Sequence, residues 1–157
     1  MTLAYDLRAD LCSGRRGWER RGRWIGVDND PAMRPDLLAD VRRLRGSWFR
    51  WASLIVASPP CNGFTDLPWR PATGEGLDVL LACLAICEES GVPWCLENTR
   101  FTQEHIGQAK CHWGGFYLWG PLARVPDVPP PSKMAISGTR PDLRAVIPEA
   151  LALAVCP

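Results

Sequence analysis

Residues 54–65 read LIVASPPCNGFT. The first half is apolar and β-branched at its centre, the pattern of a strand covered on both faces. Two prolines then fix φ and remove two backbone donors, so the strand must stop. The next side chain, that of Cys61, is presented on a stiff turn at the end of the strand. A thiolate is a good nucleophile, and amide donors in the turn that follows can lower its pKa.

Working outward, segments of similar type recur on both sides. Residues 6–22, DLRADLCSGRRGWERRG, read as a strand, a glycine turn and a helix start. RWIGVDND (23–30) and PDLLADV (35–41) read as short strands ending in acids. Downstream, Leu77–Glu89 has the wide apolar face of a helix, closed by Gly91. VPWCLENT (92–99) and GGFYLWG (114–120) read as strands, and LRAVIPEALALAVC (143–156) as a helix with Pro148 near its first turn. Residues 125–142 are proline-rich and read as an ordered surface loop. Strands alternating with helices at this spacing predict a mostly parallel α/β sheet with helices on both faces.

The 157 residues suit a single domain spanning 1–157. With 46% hydrophobic and 22% charged residues, the chain reads as globular. No apolar run approaches the roughly 20 residues of a membrane span, and the N-terminus lacks the pattern of a signal peptide. A cytoplasmic location without membrane association is the expectation. Seven cysteines at irregular spacing argue against a disulfide framework. Cys83 and Cys87 lie one helical turn apart and Cys111 adjoins His112, but no CxxC pair exists, so no metal site is expected. Net charge is only +1. Residues 1–60 nevertheless carry 11 of the 18 basic and 7 of the 17 acidic side chains, a local surplus of four. Arg15, Arg16, Arg20, Arg21 and Arg23 form one group, and Arg42, Arg43, Arg45 and Arg50 a second. Either solvated faces or a phosphate-facing edge fits that distribution.

Open α/β sheets bind ligands at the carboxyl ends of their strands. Three such ends carry suggestive groups. In DLCSGRRG, Gly14 and Gly17 could let backbone approach a ligand. In GVDND, Asp28 could accept both hydroxyls of a ribose. In LLADV, Asp40 could accept from the exocyclic amine of a purine. The dinucleotide fingerprint GxGxxG is missing, so an adenosine ligand without phosphates suits the pattern better, with S-adenosylmethionine as the candidate. A further strand end carries Glu97 and Asn98. A carboxylate beside a flat polar ring can bond a ring nitrogen and polarise the ring toward attack.

SPPCNGFT resembles the PPCxxFS nucleophile motif of the cytosine-C5 DNA methyltransferases, and LENT resembles their ENV motif. DLCSG, GVD and LLADV fit their cofactor motifs in order. AVIPEALALAV looks like their C-terminal helix, which returns to the cofactor pocket, and GQAKCHWGGFYLWG is similar to a segment of the compact phage-encoded branch. The resemblance implies a Rossmann-like class I methyltransferase fold and methyl transfer to C5 of cytosine in DNA. Cys61 would add to C6 of the base and Glu97 would bond N3 and the amino group, with Arg140 or Arg144 assisting. Cofactor contacts would come from Asp10, Cys12, Ser13, Gly14, Gly17, Trp18, Asp28, Asn29, Asp40, Val41 and Pro59. The target base must leave the helix to reach these groups.

Arg16 stands where the family commonly has Gly, Asn62 replaces a usual Gln, Thr65 a usual Ser and Thr99 a usual Val. The target-recognition domain normally inserted before the final helix is missing, which points to low specificity or a separate specificity partner. The rival readings keep the cofactor. One methylates a free cytosine nucleotide or an exocyclic amine, since SPPC is one residue from the SPPY-like motif of amino-methyltransferases. The other is a non-catalytic, cofactor-binding accessory subunit. Glu97 favours C5 chemistry over the first, and the pairing of Cys61 with Glu97 argues against the second.

Overall fold

The computed structural model describes residues 6–63, 73–131 and 146–157. Seven strands form one sheet: β1 (Leu7–Leu11), β2 (Arg23–Asp28), β3 (Leu37–Leu38), β4 (Ile55–Ala57), β5 (Trp94–Asn98), β6 (Cys111–Trp113) and β7 (Phe116–Trp119). Their spatial order is β3-β2-β1-β4-β5-β7-β6. The first five strands are parallel, and β7 runs antiparallel between β5 and β6.

The alternation of side chains along β4 explains why it reads as a continuous apolar run. Ile55 and Ala57 face one core layer and Val56 the other. The first layer is covered by α1 (Leu77–Ser90), which buries Leu80, Cys83, Ile86 and Cys87. As expected, Gly91 closes this helix, with φ of +71° in the left-handed region. The second layer is covered by α3 (Glu149–Val155), which packs Leu151, Ala152 and Val155 against Trp18, Phe116 and Leu118. The structure is thus of the α/β class with both sheet faces covered.

Three expectations are corrected. No helix follows β1: residues 12–22 form consecutive turns, because Cys12 (φ +56°), Gly14 (φ +46°) and Arg16 (φ +57°) adopt left-handed backbone that an α-helix does not accommodate. Between β2 and β4 no α-helix forms: apart from β3 the chain makes 3-10 turns at 31–33, 41–43 and 46–49. The final helix begins only at Glu149, after Val146 and Ile147 that were expected within it; Pro148 is its extended N-cap, beside the first turn as expected. GGFYLWG is half of a hairpin, whose other strand, β6, has only three residues, too few to show an alternating pattern. The short helix α2 (Gln103–Ile106) follows β5. Among the described residues no helix is long and apolar enough to cross a membrane.

Candidate active site at the carboxyl edge of the sheet

Strand register sets the site. Val27, Leu11, Ala57 and Leu96 lie in one row across β2, β1, β4 and β5. All four are fully buried. The first residues beyond that row are therefore Asp28, Cys12, Ser58 and Glu97, side by side along the carboxyl edge. Parallel strands with buried faces force this arrangement, because a one-residue slip would turn each apolar set to the wrong layer.

The β1–β2 half of the edge forms a cavity of about 320 Å³, within the size of small-molecule sites. Of the sequence-predicted cofactor residues, Cys12, Ser13, Gly14, Gly17, Trp18, Asp28, Asn29, Asp40 and Val41 line it. Arg15, Ala39, Ser58, Pro60, Val79, Val146 and Ile147 complete the wall. Val146 and Ile147 fall in the segment whose resemblance pointed back to the pocket. Val79, on α1, carries no signal in the sequence, since only tertiary packing brings it there.

Several wall residues are held in place by the chain itself. The Asp28 carboxylate accepts from the Gly14 N–H (2.8 Å) and the Asp30 N–H (2.9 Å), so it ties the first turn to the end of β2. A carboxylate has about four acceptor positions, so two remain. Trp18 is buried and its indole N–H donates to Ser58 Oγ at 2.9 Å, fastening the same turn over β4. Asp40 caps the following 3-10 turn through the Arg42 N–H and pairs with the Arg42 guanidinium (2.6 Å), which also reaches Asp78. That guanidinium holds the Asp40 carboxyl below the usual carboxylate range. Arg16 pairs with Glu19 (2.6 Å) and Asp36, so it braces the turn rather than facing a phosphate. Gly17 is required for a reason other than ligand approach: a Cβ there would lie 2.7 Å from the Ile147 backbone N. Cys12 Sγ lies 3.7 Å from Cys83 Sγ on α1.

Asp10 and Pro59 do not line the cavity. Asp10 is fully buried and pairs in register with Gly26, so both face the same side of the sheet. A Cβ on Gly26 would lie 2.9 Å from Glu19 Oε1 and 3.1 Å from Ser13 Oγ. Both Asp10 oxygens, Ser13 Oγ and Glu19 Oε1 are buried without a hydrogen-bond partner among the described residues. Burial, then the charge of Glu19, pushes the Asp10 carboxyl well above its ordinary value of 3.8. Burial also raises Glu19. An acid with a raised folded-state pKa stabilises the fold below its unfolded pKa, and that stability is lost as pH rises toward the folded value. Stability should therefore fall as pH rises above about 4. Asp10→Asn should flatten that slope, since the amide neither ionises nor lacks donors for Glu19 and Ser13. Urea midpoints at pH 5 and pH 8 test this, and parallel slopes for parent and variant would sink the assignment.

The β4–β5 half of the edge carries the remaining groups. Pro59 is buried, and its carbonyl accepts from Asn98 Nδ2 at 2.7 Å. Asn98 Oδ1 in turn accepts from the Thr99 N–H and the Thr102 hydroxyl. The amide thus pins the proline turn to the end of β5, so the two motifs flanking it are physically joined. Cys61 follows two residues later, half-buried against the α1-side core. Glu97 is 8% exposed on the adjacent strand. Arg140, Arg144 and Thr65 lie outside the described residues. Among the described residues no three His, Cys, Asp or Glu side chains gather as a metal site.

No protein-family model matches this chain, and no curated protein matches it.

Proposed function

We propose that this protein transfers a methyl group from S-adenosylmethionine to C5 of cytosine in DNA, on a Rossmann-like class I methyltransferase fold. One observation carries the reading. A single register row puts a small-molecule cavity at the ends of β1 and β2 and a buried carboxylate at the end of β5, and the two prolines that follow β4 hold the Cys61 thiol a few residues beyond the same edge. The sheet order, with its one antiparallel strand between β5 and β6, supports the same reading.

The cavity residues fit the cofactor. Asp28 retains acceptor positions for ribose hydroxyls, Asp40 stands in the wall at the next strand end, and Val41, Val79 and Ile147 offer apolar surface for a purine. S-adenosylmethionine bound there would supply a methyl group activated by its sulfonium. The chain's own residues do the rest. The Cys61 sulfur forms a bond to C6 of cytosine, and the displaced electron pair is delivered to C5. Glu97 holds N3 and the exocyclic amine and shares a proton with the ring, which makes C6 electrophilic. C5 takes the methyl group and then loses its proton to a base. The S–C6 bond breaks, and the thiolate and the aromatic ring are restored. The stiff turn matters because the sulfur must already be placed before the base arrives.

Incubation with methyl-labelled S-adenosylmethionine, mixed DNA and a free cytosine nucleotide tests the proposal. The expected product is 5-methylcytosine in DNA. Label on an exocyclic amine, label only on the free nucleotide, or no turnover by folded protein would each overturn it.

A further inference from the structure

Residues 41–53, VRRLRGSWFRWAS, contain no acidic residue. From Gly46 onward the backbone follows i to i+3 hydrogen bonding, with Trp48 N bonded to Arg45 O and Ala52 N to Phe49 O. Side chains three apart are eclipsed on such a turn. Gly46, Phe49 and Ala52 form the buried seam. Gly46 has no room for a side chain, since a Cβ would lie 2.5 Å from Glu89 Cβ and 2.7 Å from the Ile86 carbonyl of α1. With that seam against α1, the row Arg45, Trp48, Trp51 must face solvent, and Arg50 lies on the row beside it. All four are exposed, Trp48 to 55% and Trp51 to 44%.

Two exposed indoles on one ladder need a cause. The buried tryptophans Trp18, Trp113 and Trp119 each donate their indole N–H to a protein acceptor. Trp48 and Trp51 have no such acceptor among the described residues. Arg43, Arg45 and Arg50 likewise form no ion pair among them. Acidic groups reach the segment at its ends and at its seam. Asp40 and Asp78 hold Arg42, Asp6 holds the Ser53 hydroxyl, and Glu89 accepts from the Gly46 N–H. The outward face is left cationic and aromatic.

We infer that this face binds single-stranded nucleic acid, with bases stacked on Trp48 and Trp51 and phosphates on Arg45, Arg50 and Arg43. Every base has a π-face, and indole rings stack on it whatever the sequence, while guanidinium groups follow the backbone. An apolar protein partner would not explain the unpaired arginines flanking both rings. The face packs at the carboxyl-terminal turn of α1, whereas Val79 at the other end of that helix lines the cavity. About 15 Å of helix separates Val79 from Glu89. The inference therefore goes beyond the methyl-transfer reading and does not depend on it.

The test is anisotropy of a fluorescein-labelled single-stranded oligothymidylate with the full chain, without cofactor, across a salt series. The parent should bind, quench its tryptophan fluorescence, and weaken steeply with salt. Trp48→Ala plus Trp51→Ala should weaken binding by tenfold or more and lose the quenching. Arg45→Ala plus Arg50→Ala should weaken it and flatten the salt slope. Both pairs are exposed, so thermal melts should match the parent. Cys61→Ala should bind like the parent, which separates this face from the proposed chemistry. Unchanged binding after loss of both tryptophans would overturn the inference. So would parent protein that fails to bind the oligonucleotide, including one that instead self-associates through this face.

Discussion

Cys61→Ala should lower methyl transfer by about three orders of magnitude or more, the scale on which loss of a covalent nucleophile is felt. Affinity for S-adenosylmethionine should barely change, because the thiol serves the base and lies beyond the cavity wall. DNA containing 5-fluorocytosine should trap a link that survives denaturation, since fluorine at C5 blocks the proton loss that frees the sulfur. Peptide mapping should place the link on Cys61. Five of the other six thiols, those of Cys83, Cys87, Cys95, Cys111 and Cys156, are poor rivals. Burial pushes Cys156 up to about 12 and raises Cys87, Cys95 and Cys111. Contact with Cys12, then burial, raises Cys83 well above the ordinary thiol value. Thiols so shifted are protonated at neutral pH and do not attack. Near-parental methylation by the Cys61→Ala protein would end the covalent mechanism.

The second large effect is expected at Glu97. Glu97→Gln is nearly isosteric at a site 8% exposed, so the fold should survive. An amide can donate a hydrogen bond to the ring nitrogen but cannot transfer a proton to it. Single-turnover transfer should slow by about 10²- to 10⁴-fold, the usual contribution of a positioned acid or base. The 5-fluorocytosine adduct should also form more slowly, because Glu97 acts before the S–C6 bond is complete. Normal adduct formation with slow transfer would remove Glu97 from ring activation and leave it only a role in the later step.

The sheet and its working edge were legible because strand signals here are local. A β-branched run ended by Pro59 and Pro60 has one reading, and the acids at Asp28 and Asp40 close strands that pair as expected. The first connection is not legible because composition does not reveal backbone sign. Glycines at 14 and 17 suggest a helix opening, yet the left-handed Cys12 and Arg16 keep the chain in turns. Gly17 was read as making room for a ligand, and it makes room for Ile147, a residue 130 positions later that no local pattern could name. Asp10 was placed among cofactor contacts by its neighbours in the motif. Strand alternation instead turns it under the first turn, away from the cavity wall, with Glu19 and Gly26. The 3-10 turn at 46–49 has too few residues to announce its period of three, so its exposed tryptophans were not separable from core residues.

The cavity wall joins residues 12–18 to residues 146–147, and Arg8 of β1 bonds the carbonyls of Cys156 and Pro157. Few contacts in this fold span more chain. Loop closure of that length comes at an entropic cost before any contact repays it, so such contacts form late. In a chain made from its amino end, the strands that carry Asp28 and Cys61 emerge well before the segment that completes the pocket. A ligand that needs Ile147 is therefore bound only by chains in which that residue has reached the first turn. Its binding adds stability to that state alone, and so it reports the joining of these distant segments as well as occupancy of a site.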